Sequence, residues 1–278
     1  ETGEIRKYPV YSSDKGTTRV FLQLPPAGSV FVVFREKSNR KHVESIHKDG
    51  VSVFPVTPVV KNRTSPVYVT DNQTDQAGLV FMENGVYTLN TARGKAVKFD
   101  IHSIPAPIQL SGSWNVNFPA GWGAPATAEF PELISWTLHK EDGIRYFSGI
   151  ATYRKEFNLS GDILNPGYLY HLDLGDVRLV ADVYLNGRHL GILWQPPFRL
   201  DVTASLKPGK NMLTVEVAND WSNRIIGDQK LPRKNRFTST NITSPNSTEL
   251  MWKDAPLLES GLMGPVRIIT AKKVQMNY

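Results

Sequence analysis

Between Arg145 and Trp221 the chain runs through successive short stretches of alternating apolar and polar residues: RYFSGIATYRKEF, HLDLGDVRLVADVYLNGRHLGILW, PPFRLDV and GKNMLTVEVANDW. Period-two alternation broken by Gly, Asn and Pro predicts antiparallel strands of a β-sandwich and argues against a helical or parallel α/β domain. In the stretch around Met212–Ala218, Leu213, Val215 and Val217 face one side while Thr214 and Glu216 face the other. Asn186-Gly187 sits where a two-residue hairpin turn needs two positive φ angles in succession.

The same pattern extends over the rest of the chain. Thr18–Leu24 alternates, Val30–Phe34 is a continuous apolar run, and the two read as neighbouring strands joined through the turn at residues 25–28. Further strands fit residues 67–70, 78–82, 85–91 and 96–102, with Glu83-Asn84-Gly85 as a hairpin signal. A break with two prolines at residues 103–107 divides a small β-sandwich, residues 1–104, from a second domain, residues 108–278. The fold class expected is therefore all-β with two sandwich domains and minimal helix. Trp114, Phe118, Trp122, Phe130 and Trp136 open the second domain in irregular spacing, and read mainly as core or cover residues. Residues 230–259 are polar and turn-rich, a long surface excursion that Met251 and Trp252 re-anchor.

Composition narrows the chemistry. The 278 residues contain no cysteine, which excludes disulfides, zinc–thiolate sites and thiol nucleophiles. The net charge of +6 arises from 32 basic and 26 acidic residues that are scattered, and no recognition motif accompanies them, so no nucleic-acid partner is expected. No apolar run approaches the ~18 residues of a membrane helix. No signal peptide opens the chain, and its first residue is Glu1, as in a processed protein or an excised piece of a longer one. Gly-x-Ser-x-Gly is absent, and the six histidines have no paired metal spacing. No metal ligands or cofactor are assigned; a structural calcium is compatible with such sandwiches, but no Asp-rich loop signals one.

The segments YFSGIATYRKEF, LDLGDVRLVADVYLNGRHLG, PFRLDVT and LKPGKNMLTVEVAN together resemble the galactose-binding-like jelly roll that serves as the sugar-binding domain of glycoside hydrolase family 2. The flanking SWTLHKEDGIRYFSG, WSNRIIGDQKLP and GLMGPVRI are similar to the C-terminal part of bacterial α-L-rhamnosidases of glycoside hydrolase family 106. The opening segment resembles the sandwich that precedes the jelly roll there. The resemblance implies a role in glycan breakdown, in the periplasm or outside the cell. It also implies that the catalytic carboxylates lie on a (β/α)₈ barrel, about 250 residues of alternating strand and helix, which this chain does not contain. No catalytic residue is carried over. The missing barrel is an implied partner, carbohydrate another. Alternatives from other classes are a free-standing carbohydrate-binding protein and a purely structural domain.

A sugar contact is expected on loops at one end of the sandwich. The candidates are Trp136 and His139, Trp194 beside two prolines, and Trp221 with Asn223, Arg224, Asp228 and Gln229. An indole face with a few planar polar groups suits a pyranose. For each there is a structural reading as well: the indoles as core caps, His139 as a loop hydrogen-bonding residue, and Arg224 with Asp228 as a pair at helical spacing.

Overall fold

A computed structural model describes residues 8–22, 24, 29–35, 42–55, 65–70, 76–242, 244–245 and 251–277. The expected turn at residues 25–28 lies outside them. Their architecture is all-β, with two short α-helices and a few single 3-10 turns. No helix among the described residues is long and apolar enough to cross a membrane. The chain divides into two compact units: Glu1–Ala106 with Asn165–Tyr170 and Thr270–Tyr278, and Pro107–Leu164 with His171–Ile269.

In the first unit, β1 (Tyr11–Asp14) and β2 (Thr17–Val20) form a hairpin. Strands β3 (Val43–Lys48), β4 (Val51–Phe54), β7 (Gly85–Thr91) and β8 (Ala96–Ile101) make an antiparallel sheet in the order β4-β3-β7-β8. Strand β5 (Val67–Thr70) pairs with β6 (Gln76–Phe81), and β6 pairs with residues 272–277. Val43, Ile46, Phe54, Leu79, Phe81, Tyr87 and Leu89 fill the core. Two expectations are corrected here. Strands β6 and β7 do not pair across Glu83-Asn84-Gly85; β7 pairs with β3 and β8, and the Asn84 carboxamide instead exchanges two hydrogen bonds with the backbone of Ile104 at 2.9 and 3.0 Å. Val30–Phe34 is not a strand, and Phe31 is 96% exposed. Apolar content alone does not make a strand, because the ladder needs a neighbour to pair with.

The second unit opens with β9 (Ile108–Gln109), β10 (Trp114–Asn117), β11 (Thr127–Phe130) and helix α1 (Asp142–Arg145). It continues through β12 (Ile150–Leu159), β13 (Tyr168–Asp173, from residue 171 in this unit), β14 (Asp176–Arg178), β15 (Val180–Leu185) and β16 (Arg188–Leu193). Then come β17 (Arg199–Asp201), β18 (Gly209–Ala218), helix α2 (Ser222–Gln229), β19 (Gly261–Gly264) and residues 267–269 of β20 (Arg267–Asn277). One antiparallel sheet runs β11-β10-β12-β18-β15-β16. Strands β13 with β17, and β9 with the start of β20, form shorter ladders.

The alternation in β18 is as expected, with Leu213, Val215 and Val217 fully buried between Thr214 and Glu216 on the other face. Asn186 and Gly187 take φ of 54° and 82° and close the β15–β16 hairpin. Of the five early aromatics, Trp114, Phe118, Phe130 and Trp136 are buried and Trp122 is exposed. Burying each such side chain stabilises the fold by about 1.5–3 kcal/mol relative to leaving it in water. In the long excursion Trp252 is the anchor, packing on Ile225 and Ile226 and donating its indole N–H to Ile242 O at 3.0 Å, while Met251 is exposed.

Candidate functional site

Strand register determines which loops share an end of the sandwich. Ala218, the last residue of β18, faces Ile150 of β12 and Val180 of β15, and Ala181 faces Leu193 of β16. Trp194 follows Leu193 directly, and Trp221 comes three residues after Ala218, so both leave the sheet at the same end. Strands β16 and β18 are separated only by β15, about two inter-strand spacings of ~4.8 Å. Both indoles are open to solvent, Trp194 at 55% and Trp221 at 62% exposure.

The backbone beneath Trp221 is tied down. The Asn219 carboxamide accepts from Gly149 N at 2.9 Å and donates to Phe147 O and Ser260 Oγ, both at 3.0 Å. Asp220 Oδ1 accepts from Ser222 N at 2.9 Å, so the chain turns into α2 with Trp221 at its threshold. Helix α2 itself was expected to be loop. Ile225 and Ile226 are its apolar face against Trp252, and Gly227 lets it approach Tyr146, whose Cβ would lie 2.6 Å from a Cβ at that position.

The polar candidates on α2 hold the helix. Asn223 is buried, donates to Leu258 O at 2.7 Å and Ser260 Oγ at 3.0 Å, and accepts from Leu258 N at 2.8 Å. Arg224 and Asp228 form a buried i,i+4 ion pair, Nε to Oδ1 3.0 Å, close in distance but not aligned as a hydrogen bond. The Arg224 guanidinium lies 4.7 Å from the centre of the Phe237 ring. Asp228 Oδ2 accepts from Phe237 N, Thr238 N and Thr238 Oγ at 3.1, 2.7 and 2.7 Å. Gln229, at the C-terminus of α2, is half-buried.

Trp136 is a core residue beside the α2 support, and His139 lies at the β11 edge. Trp136 is fully buried, stacked on Tyr153, with its indole N–H donated to the Tyr153 hydroxyl. His139 stacks on Phe130 of the edge strand β11, at the far side of the sheet from β16, and takes the Glu141 N–H on Nδ1 at 3.1 Å. Burial pushes its pKa below the ordinary histidine value, partly offset by Glu141. It borders an open cavity of about 230 Å³ with Glu129 and Glu132. The structure thus brings Trp194 and Trp221 to one end, places three polar candidates in the support of α2, buries Trp136 beside that support with its backbone N–H on Ser260 O, and sets His139 apart at the β11 edge. Sequence reasoning passed over Asn219 as a support; its signal was an Asn directly after an alternating strand, where a side-chain amide can substitute for ladder partners. Among the described residues, no three His, Asp or Glu side chains gather as a metal site.

This all-β geometry coincides with a known class. Residues 140–253 match the family described as glycosyl hydrolase 2 galactose-binding domain-like. Two proteins of Formosa agariphila bearing the name β-glucuronidase, the first of them provisionally, are each 38% identical to this chain, over 75% and 30% of it. Among solved structures, a rhamnosidase from Novosphingobium sp. PP1Y superposes over 75% of the chain with a TM-score of 0.53 and 28% identity. The chain spans only 19% and 8% of the two Formosa proteins and 24% of the rhamnosidase.

Proposed function

We propose that this chain is the non-catalytic, carbohydrate-binding and scaffolding C-terminal part of a bacterial glycoside hydrolase resembling the α-L-rhamnosidases, acting in glycan breakdown in the periplasm or outside the cell. Its catalytic barrel would lie elsewhere in the same polypeptide. The observation that carries the reading is the pair of exposed indoles, Trp194 and Trp221, at one end of the sheet, the second on a backbone tied down by Asn219. An indole face stacks on the C–H face of a pyranose, and a rigid backbone lowers the ordering cost of binding.

Four of the acidic side chains in the loops have structural partners. Glycoside hydrolysis needs two carboxyl groups about 5–9.5 Å apart across a cleft. Here Asp142 pairs with Arg145, Glu259 with Arg178 and Asp228 with Arg224, while Asp220 caps Ser222. The likeness to the rhamnosidase along three quarters of the chain supports that reading, beside an equal share matched by the Formosa protein named as a β-glucuronidase.

Calorimetry of the chain with rhamnose- and galactose-containing glycans tests the binding role, and assays with aryl glycosides test the catalytic one. The expected result is glycan binding without turnover. Hydrolysis by this chain alone, or silence across the glycan panel, would overturn the reading.

A further inference from the structure

The opposite end of the same sheet carries an open cavity. Strand β15 runs from Val180 beside Ala218 to Leu185 beside Leu213, so the Asn186-Gly187 hairpin lies away from Trp194 and Trp221. An open cavity of about 350 Å³ adjoins that hairpin, lined by Arg188, His189, Asp201, Thr203 and Ser205, with Leu190 and Ala204 as its apolar parts. That volume falls at the lower end of small-molecule sites, roughly 300–1,000 Å³.

The walls of this cavity are fixed by bonds that the hairpin turn itself does not require. Asn186 Nδ2 donates to Ser205 O at 2.8 Å and to Asn211 Oδ1 at 2.9 Å, while its Oδ1 accepts from Met212 N at 3.0 Å. One carboxamide therefore clamps the Ser205 segment to the sheet. Asp201 Oδ1 accepts from Thr203 N at 2.8 Å, which leaves Oδ2 for another donor. His189 Nε2 lies 2.7 Å from Asp182 Oδ1, and the Tyr184 hydroxyl donates to Asp182 Oδ2 at 3.0 Å, so the imidazole is oriented by a carboxylate that is itself held.

The charges in the lining balance: the guanidinium of Arg188 is matched by the carboxylate of Asp201. A balanced lining does not select for a net charge, whereas a planar donor and a planar acceptor suit adjacent hydroxyls, one accepting and one donating. Leu190 offers a small apolar surface for C–H groups. We propose that this cavity is a second carbohydrate site, for a single neutral pyranose, with Asp201 and Arg188 as its hydroxyl-binding pair. It is independent of the Trp194–Trp221 reading.

Backbone-amide NMR of the chain, titrated with methyl β-D-glucopyranoside, methyl β-D-galactopyranoside and methyl α-L-rhamnopyranoside, tests this, with D-glucuronate as the charged counterpart. A neutral pyranoside is expected to give saturable shifts at residues 188–190 and 203–205 with a millimolar Kd. Asp201→Asn keeps an acceptor for the Thr203 N–H, and Arg188→Ala alters an exposed side chain, so both variants keep the fold. Each should weaken binding at least about tenfold, while Trp194→Ala and Trp221→Ala leave it unchanged. Three results would overturn the proposal: no saturable shift up to about 100 mM sugar, shifts that survive both site variants, or tighter binding of glucuronate than of the neutral pyranosides.

Discussion

Trp136 donates its indole N–H to the hydroxyl of Tyr153, and both rings are fully buried and stacked 10° from parallel. The same hydroxyl accepts the backbone N–H of Leu262 at 3.2 Å, so one oxygen satisfies two buried donors. Gly261 is required beside it, since a Cβ there would lie 2.6 Å from Trp136 Nε1 and 2.7 Å from the Tyr153 hydroxyl. Tyr153→Phe keeps the ring and orphans both donors. Each orphaned buried donor costs about 1–3 kcal/mol, so the variant should lower the urea midpoint of the second unit markedly. An unchanged midpoint would show that the hydroxyl does not hold these groups.

The buried Arg224–Asp228 pair makes a different prediction. Asp228→Ala leaves a guanidinium at 3% exposure without its carboxylate and removes the acceptor for Phe237 N and Thr238 N. Breaking such a pair typically costs about 3–5 kcal/mol, while replacing both members with apolar residues of similar volume is often neutral. Thermal unfolding should therefore rank Arg224→Met/Asp228→Leu well above Asp228→Ala. Equal losses in the two variants would mean that the backbone bonds to Asp228, and not the charge balance, dominate.

His171 on β13 is buried, and that burial lowers its pKa below the ordinary 6.5; Asp201 opposes the shift and Arg199 adds to it. A histidine with a lowered folded-state pKa favours the neutral form on folding. The unfolded chain takes up a proton as pH falls below about 6.5, the folded one only at lower pH, so stability is full above that range and is lost on acidification. Urea titrations between pH 7.5 and pH 5, on the order of the histidine range, should show this slope, and His171→Gln should flatten it. His42 and His139 shift in the same direction, so the slope is reduced and not abolished. An identical pH dependence in the variant would remove His171 from the account.

The parts of the fold that were legible in the sequence are those in which local pattern and tertiary partner agree. Strand β18 and the Asn186-Gly187 hairpin could be read because alternation and positive φ are local properties. Val30–Phe34 could not, because an apolar run says nothing about which strand it pairs with. Strands β10 and β11 were hidden by the irregular spacing of Trp114, Phe118 and Phe130 among Gly and Pro. Helix α2 was masked by its polar composition and Gly227, whose place depends on the nearness of Tyr146, a tertiary fact. For the candidate site, the i,i+4 spacing of Arg224 and Asp228 already carried the pairing seen in the structure. Exposure could not be read: Trp136 and Trp194 look alike in sequence, and one is core while the other faces solvent.

The exposed indoles give the prediction most directly tied to function. Trp221 is supported from below by the three bonds of the Asn219 carboxamide, and both Trp194 and Trp221 are exposed. Truncating either should therefore leave the thermal midpoint nearly unchanged, as expected for surface positions. If the two faces form one platform for a glycan, each truncation removes part of the same contact, and each should weaken binding about tenfold. Intrinsic fluorescence of the wild-type chain should respond to the bound glycan, with a smaller response in each single variant. Trp122, exposed on the β10–β11 loop that leaves the sheet at this same end, is a third indole for the same test: Trp122→Ala should also leave the midpoint nearly unchanged. Equal affinity in all three variants would remove the indoles from glycan recognition and leave this end of the sandwich a docking surface for the rest of the enzyme.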